Sequence, residues 1–143
     1  MSDFKHSDEY QVTWLIRRLF RTMTQTADRY LESLGISASE RAVMEFLSKR
    51  NQTVPQIAEK YGVSRQHVQV TVNALLEDKL VCLEDNPLHK RSPLITLSTK
   101  GRRMFAKITK EDEKAIELAF SNISRKQCKQ TRQTLEQLLD NLS

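Results

Sequence analysis

The stretch from Thr53 to Val81, TVPQIAEKYGVSRQHVQVTVNALLEDKLV, constrains the chain to a short helix, a tight turn and a second helix. Thr53 and Gln56 have the spacing of a capping box, and Pro55 falls in the first helical turn, where a missing N–H is harmless. The first helix therefore begins near Val54. Ile57 and Ala58 give it a narrow apolar face, with Ala58 small enough for a second helix to cross closely. Gly62 supplies a left-handed exit, Val63 packs down after it, and Ser64 caps the next helix.

In that next helix Val68, Val72, Leu75 and Leu76 form one apolar stripe at the helical period. Arg65, Gln66, His67, Gln69, Val70 and Asn73 are left outside it, toward the N-terminal end. Gln and Asn can bond adenine bidentately, Arg can bond guanine, and Val70 can touch a thymine methyl. A helix that offers its N-terminal turns in this way suits the major groove of double-stranded DNA. The competing reading is an ordinary solvated helix face.

Upstream, Val12, Leu15, Ile16, Leu19, Phe20, Met23, Ala27, Tyr30, Leu31 and Leu34 keep three-and-four spacing from about Ser7, with Gly35 as the C-terminal cap and Ile36 as its apolar partner. The spacing predicts one helix of about 40 Å, longer than a domain of this size needs to cover its own core. The surplus suggests a second subunit. Ser37 and Glu40 then open a shorter helix through Val43, Met44, Phe46 and Leu47, which ends between Lys49 and Gln52 and buttresses the helical pair.

Downstream, Leu80–Leu83 and Leu94–Leu97 are short β-type runs separated by EDNPLHKRSP, the pattern of a hairpin with a long charged loop. Its tip carries His89, Lys90 and Arg91, and an Arg there can enter a minor groove or bond phosphates. Ser98 or Thr99 starts a further helix despite Gly101 in its first turn, with apolar positions from Met104 to Phe120 and Ile123. Ser124 and Gln127 cap a last one, whose Leu135, Leu138, Leu139 and Leu142 are apolar. A two-fold homodimer built from both chain ends is the economical use of that apolar surface.

A length of 143 residues allows one domain's core, and 38% hydrophobic with 29% charged residues suits a mostly helical chain. The formal charge of +5 fits a polyanion partner without requiring one. The polar start MSDFKHSDEY offers neither a signal peptide nor a membrane span, so a cytoplasmic protein is expected. Cys82 and Cys128 lack metal-ligand spacing and are expected to be reduced thiols. Cys82, in an apolar strand, is expected to be sheltered and inert; Cys128, beside Lys126 and Lys129, is better placed for redox chemistry. No phosphate loop, metal cluster or nucleophile motif points to an enzyme, and no cofactor is implied.

The order of elements, and most closely QIAEKYGVSRQHVQVTVNALLEDKLV, the charged hairpin and LITLSTKG, resembles the MarR family of transcriptional regulators. The resemblance implies a mainly α fold with a small β-wing: an N-terminal dimerisation helix over 1–36, a winged helix-turn-helix over 37–100 and C-terminal dimerisation helices over 101–143. It implies a homodimeric DNA-binding regulator, in the repressor mode, on a pseudo-palindromic operator. Base reading then falls to Gln66, His67, Gln69, Val70 and Asn73, and phosphate or groove anchoring to Ser64, Arg65, His89, Lys90 and Arg91. A small aromatic or anionic ligand would sit near Tyr10, Trp14 and Arg17, whose plainer role is packing at the dimer interface. Two positions depart from the family pattern. His89-Lys90-Arg91 keeps the wing Arg without its usual carboxylate, and Lys79 stands where a Gly commonly ends the recognition helix, at a cost of about 1 kcal/mol if left-handed.

Two other readings stay open. The same outer face can dock on a protein, in which case no DNA sequence is selected. Alternatively, DNA binding can activate without a ligand.

Overall fold

The computed structural model describes residues 3–143. After a 3-10 turn at Phe4–His6 come α1 (Asp8–Leu34), α2 (Ala38–Lys49), α3 (Val54–Tyr61), α4 (Arg65–Glu77), β1 (Val81–Glu84), β2 (Leu94–Leu97), α5 (Thr99–Ala119) and α6 (Arg125–Leu142). Two compact units divide the chain within α5, one ending at Lys110 and one running Glu111–Ser143.

The helix boundaries follow local chemistry. Ser7 caps α1, and Gly35, at φ 73°, ends it while the Ile36 N–H reaches back to the Leu31 carbonyl. Ser37 with Glu40, Thr53 with Gln56 and Ser124 with Gln127 form complete capping boxes on α2, α3 and α6. Gly62, at φ 76°, turns the chain from α3 to α4, its N–H and that of Val63 both bonded to the Ala58 carbonyl. The helix-turn-helix is thus closed by the backbone itself.

The core of the first unit gathers Leu31 from α1, Val43, Met44 and Leu47 from α2, Ile57 and Ala58 from α3, and Val68, Val72 and Leu75 from α4. Leu80, Val81, Ile95, Leu97 and Ile108 of α5 complete it. Thr71, polar but buried, is accommodated because its hydroxyl donates to the His67 carbonyl at 3.0 Å.

The strands pair antiparallel from Val81 opposite Leu97 to Glu84 opposite Leu94. Gln52 adds one rung on the other side of β2: the Ile95 N–H donates to its carbonyl at 2.8 Å and its N–H returns to the Ile95 carbonyl at 3.3 Å. The Gln52 side chain is buried as well, donating to the Phe46 carbonyl at 2.7 Å and accepting from Lys60 Nζ at 3.1 Å. One residue therefore ties the end of α2, α3 and the hairpin together.

The structure corrects three sequence readings. The last helix but one ends at Ala119, so Phe120 and Ile123 lie in the turn that leads to the Ser124 cap, where the Ile123 N–H bonds the Phe120 carbonyl. β1 starts at Val81, not Leu80. Cys82 is exposed rather than sheltered: Val81 is the one buried residue of β1, and the side chain after it takes the opposite face of the strand. No helix among the described residues is long and apolar enough to cross a membrane.

Candidate nucleic-acid interface

Packing of Val68, Val72 and Leu75 against the core fixes which face of α4 looks outward. Ser64 Oγ accepts the His67 N–H at 3.0 Å, which leaves the hydroxyl proton free to donate to a ligand. Arg65, Gln66, His67, Gln69, Val70 and Asn73 are all exposed, Val70 at 62% although apolar. An aliphatic side chain so exposed in a polar row is what contact with a thymine methyl requires.

The outward row is not uniform. His67 leans back, with Nε2 3.2 Å from Ser39 Oγ on α2 and its ring edge-on to Tyr61 at 6.3 Å. Gln69 and Asn73 are joined, Nε2 donating to Oδ1 at 2.9 Å. Arg65, Gln66 and Gln69 also line an open groove of about 400 Å³, shared with Val54, Pro55, Leu83 and Arg91. The geometry brings the helix's first cation and the wing's Arg91 to a single cleft.

The wing tip is organised by Asn86. Its Oδ1 accepts the Leu88 N–H at 3.1 Å, an Asx turn, and its Nδ2 donates to the Ser92 carbonyl at 2.9 Å across the loop. Backbone bonds from His89 to Asn86 and from Ser92 to His89 tighten the same turn. The Asn86-Pro87 dipeptide is the sequence signal for this clamp. His89, Lys90 and Arg91 are exposed around it. No ion pair among the described residues engages Arg65, Lys90 or Arg91, so all three cations are available to an anionic partner.

The other candidate residues lie elsewhere. Tyr10 is half-buried with its ring edge-on to Phe4 at 5.4 Å, while Trp14 and Arg17 are exposed on α1, and none of the three lines the cleft between α4 and the wing. Cys128 is half-exposed in the first turn of α6. Among the described residues no group of three or more His, Cys, Asp or Glu is placed to hold a metal ion.

Residues 34–92 match the model of the MarR family. An uncharacterised protein of Mycobacterium tuberculosis is 40% identical over 82 residues, 57% of this chain, and the chain spans about half of that relative's length, 55%. The Staphylococcus aureus MarR protein solved in complex with salicylate and kanamycin superposes with a TM-score of 0.87 at 20% identity, over 94% of this chain and 91% of that one. The S. aureus MepR–DNA complex gives 0.82 at 21% identity, over 96% and 100%.

Proposed function

We propose that this chain, which carries a MarR-family segment at residues 34–92 within the winged helix-turn-helix fold of that family, is a sequence-specific DNA-binding transcriptional regulator. The observation that carries the reading is the cleft shared by α4 and the wing. There Arg65 and Arg91 stand beside the hydrogen-bonding side chains of Gln66 and Gln69, and Lys90 is exposed at the wing tip. Cations position a protein on phosphates, and amides on a helix face read base edges. The MepR–DNA complex, of the same fold, supports that use of the fold.

The regulator acts as a homodimer, by this reading. On α1 the side chains of Leu15, Leu19, Phe20 and Met23 are exposed, and so are Ile116, Phe120 and Leu139 in the second unit. Large apolar side chains left exposed on each unit support a partner that covers them. A second copy covers it isologously and sets two recognition helices about 34 Å apart, one turn of a pseudo-palindromic operator. Residues 1–36 and 101–143 then serve dimerisation and 37–100 serve DNA binding, in the cytoplasm, where the operator is.

Repression follows if the occupied operator overlaps a promoter. Release by a small aromatic or anionic ligand finds support in the salicylate bound to the S. aureus MarR protein, with Tyr10, Trp14 and Arg17 as the residues to test here. Selection of duplexes from a random pool, followed by sedimentation of the complex, tests the whole reading. Enriched sequences with two inverted half-sites bound by two chains are expected. If no sequence is enriched, the same face serves as a protein-docking module. A reporter gene placed behind the selected operator gives the sign of control.

A further inference from the structure

Resting on the DNA-binding reading and deepening it at one contact, we propose that Gln69 reads an adenine in each half-site, and that Asn73 acts through Gln69 as a positioning residue that fixes which edge of its amide meets the duplex.

A glutamine amide has one acceptor oxygen and two N–H donors. The bond from Gln69 Nε2 to Asn73 Oδ1, at 2.9 Å, uses one donor. What remains is Oε1 and the other N–H. With the proton trans to the oxygen engaged by Asn73, the free acceptor and donor lie side by side on one edge of the planar amide. Adenine presents the complement in the major groove, the N6 amino donor beside the N7 acceptor. Guanine presents two acceptors there and is rejected by Oε1.

Two further observations place this edge on the DNA side. Gln69 lines the cleft it shares with Arg65 and Arg91, and the neighbouring Val70 is exposed where a thymine methyl can meet it. Asn73 spends an oxygen lone pair on the bond, so its own adenine-matching edge is partly occupied. The same bond joins Gln137 to Asn141 on α6, at 3.0 Å. Any helix can make such a pair four residues apart; its position on the outward flank of α4 is what gives this one a role in reading.

The test uses the full chain and the duplex it selects from a random pool. Wild type is expected to enrich one adenine per half-site that Gln69→Ala ceases to prefer, with discrimination there falling about 10-fold, the range for one bidentate contact. Replacing that adenine by 7-deazaadenine, which lacks the N7 acceptor, should weaken wild type similarly and leave Gln69→Ala unaffected. Asn73→Ala is expected to lower discrimination at the same base pair several-fold and to add nothing in the Gln69→Ala background, whereas a merely structural role would lower affinity for all sequences alike. Asn141→Ala, which removes the equivalent bond from α6, should leave base preference unchanged. The proposal is overturned if Gln69→Ala selects the wild-type sequence, or if Asn73→Ala loses preference at a base pair of its own. If wild type enriches no sequence at all, the DNA-binding reading fails as well, and the two failures are told apart.

Discussion

A β-carbon on Gly101 would lie 2.0 Å from the carbonyl oxygen of Leu80 and 3.0 Å from its carbon. That carbonyl is held in place, since it accepts the Ser98 N–H at 3.0 Å. Around it Ser98 Oγ donates to the Lys79 carbonyl at 2.7 Å and accepts the Gly101 N–H at 3.0 Å, while Lys100 Nζ donates to the Asp78 carbonyl at 2.9 Å. The first turn of α5 is therefore docked on the turn that leaves α4. In the sequence Gly101 reads as a weakness in a helix; in the fold it is the residue that lets two backbones touch.

A Gly101→Ala variant tests that docking by its sign. In an open helix the change would stabilise by about 1 kcal/mol through propensity. Here the added methyl meets fixed backbone, and overpacking of this kind costs about 1–3 kcal/mol. We expect a lower urea midpoint with an unchanged denaturant slope. An unchanged or higher midpoint would mean that α5 does not rest on Leu80.

Lys79 has φ 60°, the left-handed conformation that its place after α4 suggested. Its side chain is exposed, so little is lost with it. Lys79→Gly should therefore stabilise by roughly 1 kcal/mol, with Lys79→Ala near neutral, because alanine carries the same β-carbon penalty. Thermal melts of the two variants side by side would show the glycine form about 3 °C higher. Equal melting temperatures would place the cost elsewhere.

The helix boundaries that could be read in advance share one property, that their partners lie within four residues. Ser37 with Glu40, Thr53 with Gln56 and Ser124 with Gln127 close capping boxes within one turn, and Gly35 and Gly62 end helices with bonds to the preceding turn. Gln52, paired with Ile95, His67, held by Ser39, and Gly101, against Leu80, each depend on a residue far along the chain. No local pattern encodes those meetings. The exposure of Cys82 was hidden for another reason: a short, wholly apolar run does not show which of its two faces is solvated. The outward row of α4 was legible because the buried stripe of Val68, Val72 and Leu75 determines it by exclusion.

Burial raises the Asp112 carboxyl above its ordinary 3.8. A raised carboxylate means that the native state binds the proton more tightly than the unfolded chain. The stability from this group is therefore full below pH 3.8 and is lost as the pH rises through the higher native value. Measured against Asp112→Asn, which does not titrate, the wild-type urea midpoint should fall as the pH rises from about 3 to about 7. A wild-type midpoint that rises relative to that reference over the same range would show that the fold favours the ionised form.

Arg91 and Arg65 line the same cleft, yet by the proposed reading they do different work from the amides between them. A cation on a phosphate adds affinity for every sequence and makes it depend on salt, because each neutralised phosphate releases counterions. About six such contacts in a dimer give a log–log slope near −5 for affinity against salt concentration. Arg91→Ala removes one contact per chain, so the slope should become shallower by about 2 while the selected sequence stays the same. Gln69→Ala should do the reverse, changing the sequence and leaving the slope alone. Titrations of one labelled duplex between 50 and 200 mM salt, on the order of the range where such slopes are read, separate the two. If Arg91→Ala leaves the slope unchanged, the wing does not touch the backbone, and anchoring falls to Arg65 and the helix N-terminus.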